Sequence, residues 1–121
     1  MNEQARYPEQ DMDFAPEMPQ EWALFADLRE EVLLDYEDNT ARAYWADLQD
    51  VFVWAVERDK DILQLTEKEL RQYMGLLRRR KYSESTIRRR ITVLRLLYDV
   101  AIREAVRTDN PAKRIKVRKP S

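Results

Sequence analysis

Four segments of the chain repeat their apolar residues at helical spacing, and a single glycine stands among them. Apolar side chains that recur every three or four residues share one face of a helix. Outside the basic C-terminal tail, no segment alternates apolar and polar residues as a half-buried strand does. The pattern therefore predicts an all-α fold, a compact bundle of four main helices.

The first two predicted helices follow an acidic N-terminal segment. Residues 1–19 contain three of the five prolines and show no apolar period, so we expect a disordered tail. The first helix then begins at Gln20 and ends near residues 35–39, and Asn39 is predicted to cap a second helix that reaches about Arg58. Aromatic residues on or beside the apolar stripes are interpreted as core: Trp22, Tyr44, Trp45, Trp54 and, in the fourth helix, Tyr98.

The third and fourth helices have the clearest start signals. Thr66 and Glu69 have the spacing of a capping box, flanked by Leu65 and Leu70 as a hydrophobic staple. Ser83 is the predicted N-cap of the fourth helix, which the sequence TDNP at residues 108–111 ends. We expect one helical domain over residues 20–112 and an extended, basic tail over residues 113–121.

Composition limits the chemistry that this chain can perform. It contains no cysteine and no histidine, which removes disulfides, thiolate metal sites and the commonest general base. No apolar run approaches the roughly 20 residues that cross a bilayer. We therefore expect a cytoplasmic protein that has no cofactor, metal ion, small-molecule ligand or membrane contact, and no catalytic activity in this chain.

The formal net charge of −1 conceals a strong division of charge along the chain. Residues 1–76 hold seven Lys and Arg against 19 Asp and Glu, whereas residues 77–121 hold 15 against four, so the formal charges are −12 and +11. Such a division indicates that the basic part meets a polyanion. The densest cations flank one predicted turn, with four at residues 78–81 and three at residues 88–90.

Cations at the end of a helix are favoured by the helix dipole, but cations in its first turns are not. The group at residues 88–90 is therefore poorly explained by stability alone. A bound anion would remove the penalty, because backbone N–H groups and arginines can share phosphate oxygens. Hydroxyl donors that position a DNA backbone lie at the same place: Ser83, Ser85 and Thr86.

Arg88, Thr92 and Arg95 fall on one polar strip of the fourth helix at 100° per residue. Two arginines and a threonine on an exposed helix face are typical of insertion into a major groove. The competing interpretation is a solvated face, with Arg95 paired to Asp99 four residues later. Both interpretations stay open at this point.

Three segments in order resemble the N-terminal core-binding domain of tyrosine recombinases and phage integrases. They are NTARAYWADLQDVFVWA, LQLTEKELRQYMGLL and STIRRRITVLRLLYDVAIREAVRTDNPAKRI. The resemblance spans about residues 22–115. It implies a SAM-like helical bundle that forms half of a clamp on the recombination core site, with its second and fourth helices facing the DNA major groove.

The resemblance also implies roles for particular residues. Residues of the predicted DNA-binding set are Arg42, Gln49, Lys81, Ser83, Ser85, Thr86, Arg88, Arg89, Thr92, Arg95, Lys113 and Arg114. Residues 113–121 resemble the start of a linker to a catalytic domain that this chain lacks. The implied partners are double-stranded DNA and other recombinase protomers.

A second hypothesis is a stand-alone helical domain whose basic face binds an acidic protein. Preference for one duplex sequence over random DNA distinguishes the two, because a protein-binding face has no reason to read bases.

Overall fold

The computed structural model describes residues 18–117, and within them it contains four α-helices and one 3-10 turn. Helix α1 is Gln20–Leu33, α2 is Asp38–Glu57, the 3-10 turn is Ile62–Gln64, α3 is Glu67–Arg79 and α4 is Glu84–Arg103. The predicted all-α bundle of four main helices is confirmed. The expected disordered tail lies almost wholly outside the described residues.

Two of the predicted helix starts are confirmed by their hydrogen bonds. The Thr66 backbone N–H donates to Glu69 Oε1 at 2.9 Å and the Glu69 N–H donates to Thr66 Oγ1 at 3.1 Å, which completes the capping box. The Thr86 N–H donates to Ser83 Oγ at 3.1 Å. The predicted cap at Asn39 is wrong, because the Ala41 N–H donates to Glu37 O at 2.8 Å, so that Glu37 is the N-cap and the helix begins at Asp38, two residues earlier than predicted.

Three helices end in the same way, although the chain has one glycine and that residue, Gly75, lies inside α3. A residue in the left-handed region follows the end of α2, α3 and α4, namely Asp59 (φ 56°), Lys81 (φ 68°) and Ala105 (φ 61°). In each case its N–H and the next N–H bond back to the carbonyls of the last turn. This is the Schellman motif, which usually has glycine at the left-handed position.

The core forms where α1, α2 and α4 pack together over the 3-10 turn and α3. Fully buried positions include Phe25, Leu48, Val51, Ile91 and Leu94. Most of the predicted core aromatics are covered, with Trp54 and Tyr98 buried and Tyr44 packed against the core.

The assignment of Trp22 and Trp45 to the core is wrong, because their side chains are 36% and 42% exposed. Trp22 lies on the flank of α1 and meets the edge of Phe52, with ring centroids 5.6 Å apart. Trp45 is covered on one face by the guanidinium of Arg29, 4.9 Å from the ring centroid. Both indoles therefore pack against the margin of the core, and each leaves one side in solvent.

The segment after α4 is packed, and this includes the first residues of the predicted extended tail at residues 113–121. Pro111, Ala112 and Ile115 are buried, and Val117 packs against the core. Residues 113–117 thus contribute to the folded unit, whereas residues 118–121 lie outside the described part. Their assignment as a linker stays a prediction.

The contacts between helices fix which of their ends lie together. Asp47 of α2 meets Arg89 near the start of α4, while the Tyr98 hydroxyl late in α4 donates to Ile62 O after α2. Helices α2 and α4 therefore run in the same direction, and α3 runs back between them. The N-terminal parts of α2 and α4 and the α3–α4 turn at residues 80–83 share one end, called here the turn end.

Candidate nucleic-acid interface

The turn end presents a group of exposed cations with no acidic partner. Arg79, Arg80 and Lys81 are exposed, and none of them lies within 4 Å of a carboxylate among residues 18–117. Lys81 occupies the left-handed position of the Schellman motif, where its N–H donates to Arg78 O at 3.0 Å. These three residues, called here the turn cations, are held on a rigid turn instead of a loop.

The start of α4 has a cap and an acidic residue that both favour its helix dipole, more than the sequence suggested. Ser83 Oγ accepts the Thr86 N–H and also donates to Thr86 Oγ1 at 3.1 Å. Glu84 lies in the first turn, and its Oε2 is 3.5 Å from Arg78 Nε. Ser85 is exposed beside them. The anionic Glu84 offsets part of the penalty that was assigned to cations at this helix start.

Two of the seven cations around the turn share one buried carboxylate. Asp47 has a side chain that is 1% exposed. It accepts bonds from Arg89 Nε at 2.7 Å, Arg89 Nη2 at 2.8 Å and Arg90 Nε at 3.0 Å. Arg89 belongs to the predicted DNA-binding set; in the structure its guanidinium is bonded to Asp47, and 43% of the side chain is exposed.

Arg90 is the centre of this network. Its Nη1 donates to Asp50 Oδ2 and to Tyr73 Oη, both at 2.8 Å, and Tyr73 Oη donates to Asp50 Oδ2 at 2.5 Å. Burial alone would lower the pKa of Arg90, but Tyr73, Asp47 and Asp50 outweigh it and raise that pKa. Burial raises the pKa of Tyr73. Arg90 therefore stays charged and Tyr73 stays neutral across the usual pH range, and the role of the network is structural.

The prediction that Arg95 lies on an outward strip is wrong. Arg95 Nε donates to Ala112 O at 3.1 Å, and its Nη2 donates to Ile115 O. Its expected partner Asp99 instead accepts from Asn110 Nδ2 at 2.9 Å. The guanidinium of Arg95 fixes the C-terminal segment, because the backbone carbonyls of that segment need donors once they leave solvent.

Some of the remaining predicted residues are exposed, and others are held by contacts within the protein. Arg42 is exposed on α2, five residues before Asp47, so a rise of 1.5 Å per residue carries it about 7.5 Å further toward the turn end. Gln49 is instead tied to α1, since its Oε1 accepts from Arg29 Nη1 at 3.0 Å. Thr92 is exposed and its hydroxyl donates to Arg88 O at 3.0 Å. Arg88 is half-buried, while the C-terminal pair is exposed: Lys113 and Arg114.

Sequence reasoning missed Asp47 as the partner of Arg89 and Arg90. A usable signal was present, because Asp47 falls between Tyr44, Leu48 and Val51 on the apolar face of α2. A carboxylate on a buried face requires a cation beside it. The arginines at residues 88–90 adjoin the apolar stripe of the fourth helix. Their pairing with Asp47 could therefore have been predicted from the sequence.

Other kinds of site are not found in the described part of the chain. Over residues 18–117, no helix is long and apolar enough to cross a bilayer. The same residues contain no group of acidic side chains arranged to hold a metal ion.

Comparisons with known proteins are consistent with the all-α fold. Residues 29–105 match the family described as phage integrase, N-terminal SAM-like domain. A "Tyrosine recombinase XerC" of Listeria innocua serovar 6a is 33% identical over 78 residues. Proteins of the same name from two serovars of Leptospira interrogans, copenhageni and Lai, are each 32% identical over 89 residues. No solved structure gives a significant match.

The matches cover most of this chain but a small part of those relatives. The aligned residues are 64% of the chain and 26% of the Listeria protein, and 70% of the chain and 29% of each Leptospira protein. Because the family match alone spans more than half of the chain, this chain belongs to the phage integrase family as an N-terminal SAM-like domain of a tyrosine recombinase.

Proposed function

We propose that the turn end binds double-stranded DNA, and that the chain is the part of a tyrosine recombinase that clamps the recombination core site. The observation that carries the proposal is the group of turn cations, exposed and without acidic partners on a rigid turn. Three such charges repel one another in solvent, and a phosphate backbone between them would turn that repulsion into attraction.

The proposed contacts fall into two classes. The turn cations and the hydroxyls of Ser83, Ser85 and Thr86 hold phosphates, because short donors at a helix start approach a backbone closely. Arg88, Thr92 and Arg42 face the major groove from α4 and α2, where arginine can bond guanine edges.

Arg89 and Arg95 have different proposed roles. Arg89 keeps Asp47 as its partner and contributes charge to the surface through its exposed part. Arg95 and Gln49 are left out of the interface, because both side chains are held by intramolecular bonds.

The recombinase reaction itself is proposed to require residues outside this chain. A chain without histidine lacks a residue type that the resemblance assigns to the recombinase catalytic domain. We expect it to bind a duplex without cutting it. Contacts with other recombinase protomers on the same DNA stay a prediction.

The test is a fluorescence-anisotropy titration with a random duplex across a salt series from about 50 to 200 mM. Each phosphate neutralised contributes about −0.9 to the slope of log affinity against log salt. Replacing Arg79 and Arg80 by Gln together should flatten the slope by about 1.8, so that the wild-type chain loses about 12-fold more affinity over the series than the variant.

A matched control removes two cations from the opposite end. Lys68 and Arg103 are exposed, and α3 and α4 place them away from the turn. Their replacement by Gln should leave the slope nearly unchanged. Equal slopes for both double variants and the wild-type chain would contradict binding at the turn end, and would favour an acidic protein as the partner of the basic face.

A further inference from the structure

The segment after α4 folds back along that helix toward the turn end. Asn110 Nδ2 donates to Arg95 O at 3.0 Å, and the guanidinium of Arg95 then binds the carbonyls of Ala112 and Ile115. The Asn110 side chain also accepts the Ala112 N–H at 3.0 Å, which closes the turn around Pro111. These bonds fix the path that residues 113–117 take along the bundle.

This path creates a groove between the C-terminal segment and α3. Arg71, Met74 and Arg78 lie three and four residues apart, so they share one face of α3. The groove has a volume of about 410 Å³ and is lined by Arg71, Met74, Arg78, Arg114, Ile115 and Lys116. Four of the six lining residues are cations, and none is acidic. Met74 and Ile115 are buried and form an apolar floor.

The cations of the groove are only partly neutralised. Arg71 pairs with Glu67 at 2.5 Å, and Arg78 Nε lies 3.5 Å from Glu84. Arg114 and Lys116 are exposed and have no carboxylate within 4 Å among residues 18–117. In addition, Arg78 Nε is buried without a hydrogen-bond partner in the structure. The groove thus has surplus positive charge, which comes from Arg114 and Lys116.

We propose that this groove is a second phosphate site, which takes a phosphodiester group of the DNA backbone beside the one held by the turn cations. The inference deepens the proposed function and rests on it. Arg78 connects the two sites, because it lines the groove and immediately precedes Arg79. From Arg71 to Arg80 the helix rises about 13 Å, long enough to meet more than one phosphate of a strand.

The geometry favours a backbone phosphate over a base contact. The cations of the groove arrive from two elements and surround an apolar floor, so they can enclose a charged group. Two of its three arginines are already held by carboxylates, Arg71 by Glu67 and Arg78 by Glu84, which limits their use in reading a base edge. Its position is set by Arg95 and Asn110 in the absence of DNA, so the groove is preformed and binding requires little ordering of the segment.

The test uses the full 121-residue chain with Arg114 and Lys116 replaced by Gln, because both side chains are exposed and their loss leaves the core intact. In the salt series with a random duplex, the variant should show a slope flatter by about 0.9 to 1.8 and a several-fold weaker affinity at the lowest salt. The control is the Lys68→Gln, Arg103→Gln chain, which removes the same charge elsewhere.

A second readout locates the ligand. Carbon-13 labelled methionine methyl groups place one probe in the groove, at Met74, and another at Met18 before α1. Duplex DNA should shift the Met74 signal and leave Met18 in place. Inorganic phosphate at matched ionic strength should shift Met74 less than the duplex does, since it lacks the neighbouring phosphates that the turn cations hold.

The outcomes separate the two proposals. A flatter slope together with a Met74 shift supports the groove. If Arg79→Gln with Arg80→Gln weakens binding while Arg114→Gln with Lys116→Gln does not, the groove proposal is overturned and DNA binding at the turn stands. A Met74 shift with phosphate as large as with duplex overturns the backbone assignment. No duplex binding by the wild-type chain overturns both.

Discussion

Replacing Asp47 by Asn should destabilise the bundle strongly, because it leaves a buried guanidinium short of negative charge. Removing one partner of a buried ion pair costs about 3–5 kcal/mol. The share that belongs to Arg89 is small, since 43% of that side chain is exposed and exposed pairs contribute about 0–1 kcal/mol. Arg90, with a side chain only 9% exposed, carries most of the cost.

The two remaining partners of Arg90 place the expected loss of stability at the lower end of this range. Arg90 Nη1 keeps its bonds to Asp50 and to the Tyr73 hydroxyl. We therefore expect a loss of about 3 kcal/mol in the free energy of unfolding. For a domain of this size that loss lowers Tm by about 12–24 °C.

Urea denaturation followed by circular dichroism measures the effect, with an unchanged m-value as the sign that the unfolded state is the same. Asp50→Asn is the matched comparison, because it removes a carboxylate from the same network at a side chain that is 36% exposed. It should cost about 1 kcal/mol. The reasoning is refuted if Asp47→Asn costs less than 1 kcal/mol, or if the two variants cost the same.

Three further predictions follow from individual contacts. Lys81→Gly and Ala105→Gly each relieve the strain of a left-handed backbone position and should stabilise the chain by about 0.5–1 kcal/mol in thermal melts. Only Lys81→Gly should weaken duplex binding. Equal duplex affinities for the two variants would show that Lys81 is not part of the interface. The pKa of Glu69 is lowered by its bond to Lys60 and by the Thr66 N–H. The charged carboxylate therefore stabilises the fold at pH values above its unfolded pKa of 4.5, and that stabilisation is lost as the pH falls through the lower pKa of the folded state. Glu69→Gln keeps the capping box and should therefore be destabilised at pH 7 but not near pH 2, as urea titrations at both pH values would detect; a cost that does not change with pH would contradict the ion pair. Arg95→Ala should raise hydrogen exchange of the amides at residues 112–115 by about tenfold or more, because two charge-assisted bonds are lost, and unchanged exchange would show that the segment is held by packing alone.

Local signals in the sequence were enough to predict most of the fold. The capping box at Thr66 and Glu69 and the cap at Ser83 depend on residues within one helical turn, so their geometry follows from short-range chemistry. The turn between α3 and α4 was also predicted, although Lys81 stands where glycine is usual. Short-range hydrogen bonds determine these caps and this turn, so both can be predicted without knowing how the rest of the chain folds.

The candidate site was predicted less well, because it depends on contacts across the fold. Asp47 and Arg89 are 42 residues apart in sequence, and Arg95 meets a carbonyl 20 residues later. A helical wheel places a side chain on a face but does not identify what covers that face. Charge patterning therefore located the most basic end of the bundle and overestimated how many of its arginines are available to a ligand.

Both tryptophans at the margin of the core illustrate the same limit. Trp22 and Trp45 lie at helical spacing beside apolar stripes, which favours burial. Whether such a flank is covered depends on the neighbouring helix, and here Arg29 of α1 lies over one face of Trp45 and also over the ring of Phe25. The apolar stripe alone predicts which side of a helix faces the core, but not how far around the helix the buried surface extends.

The most direct test of the central claim is a titration of the 15N-labelled chain with a short random duplex, followed by amide NMR at low salt. DNA binding at the turn end predicts the largest shifts at residues 79–88, with further shifts at residues 114–116 and little change along α1. Shifts concentrated on α1, with the amides of the turn unmoved at saturating duplex, would contradict the claim that the turn end is the DNA-binding surface.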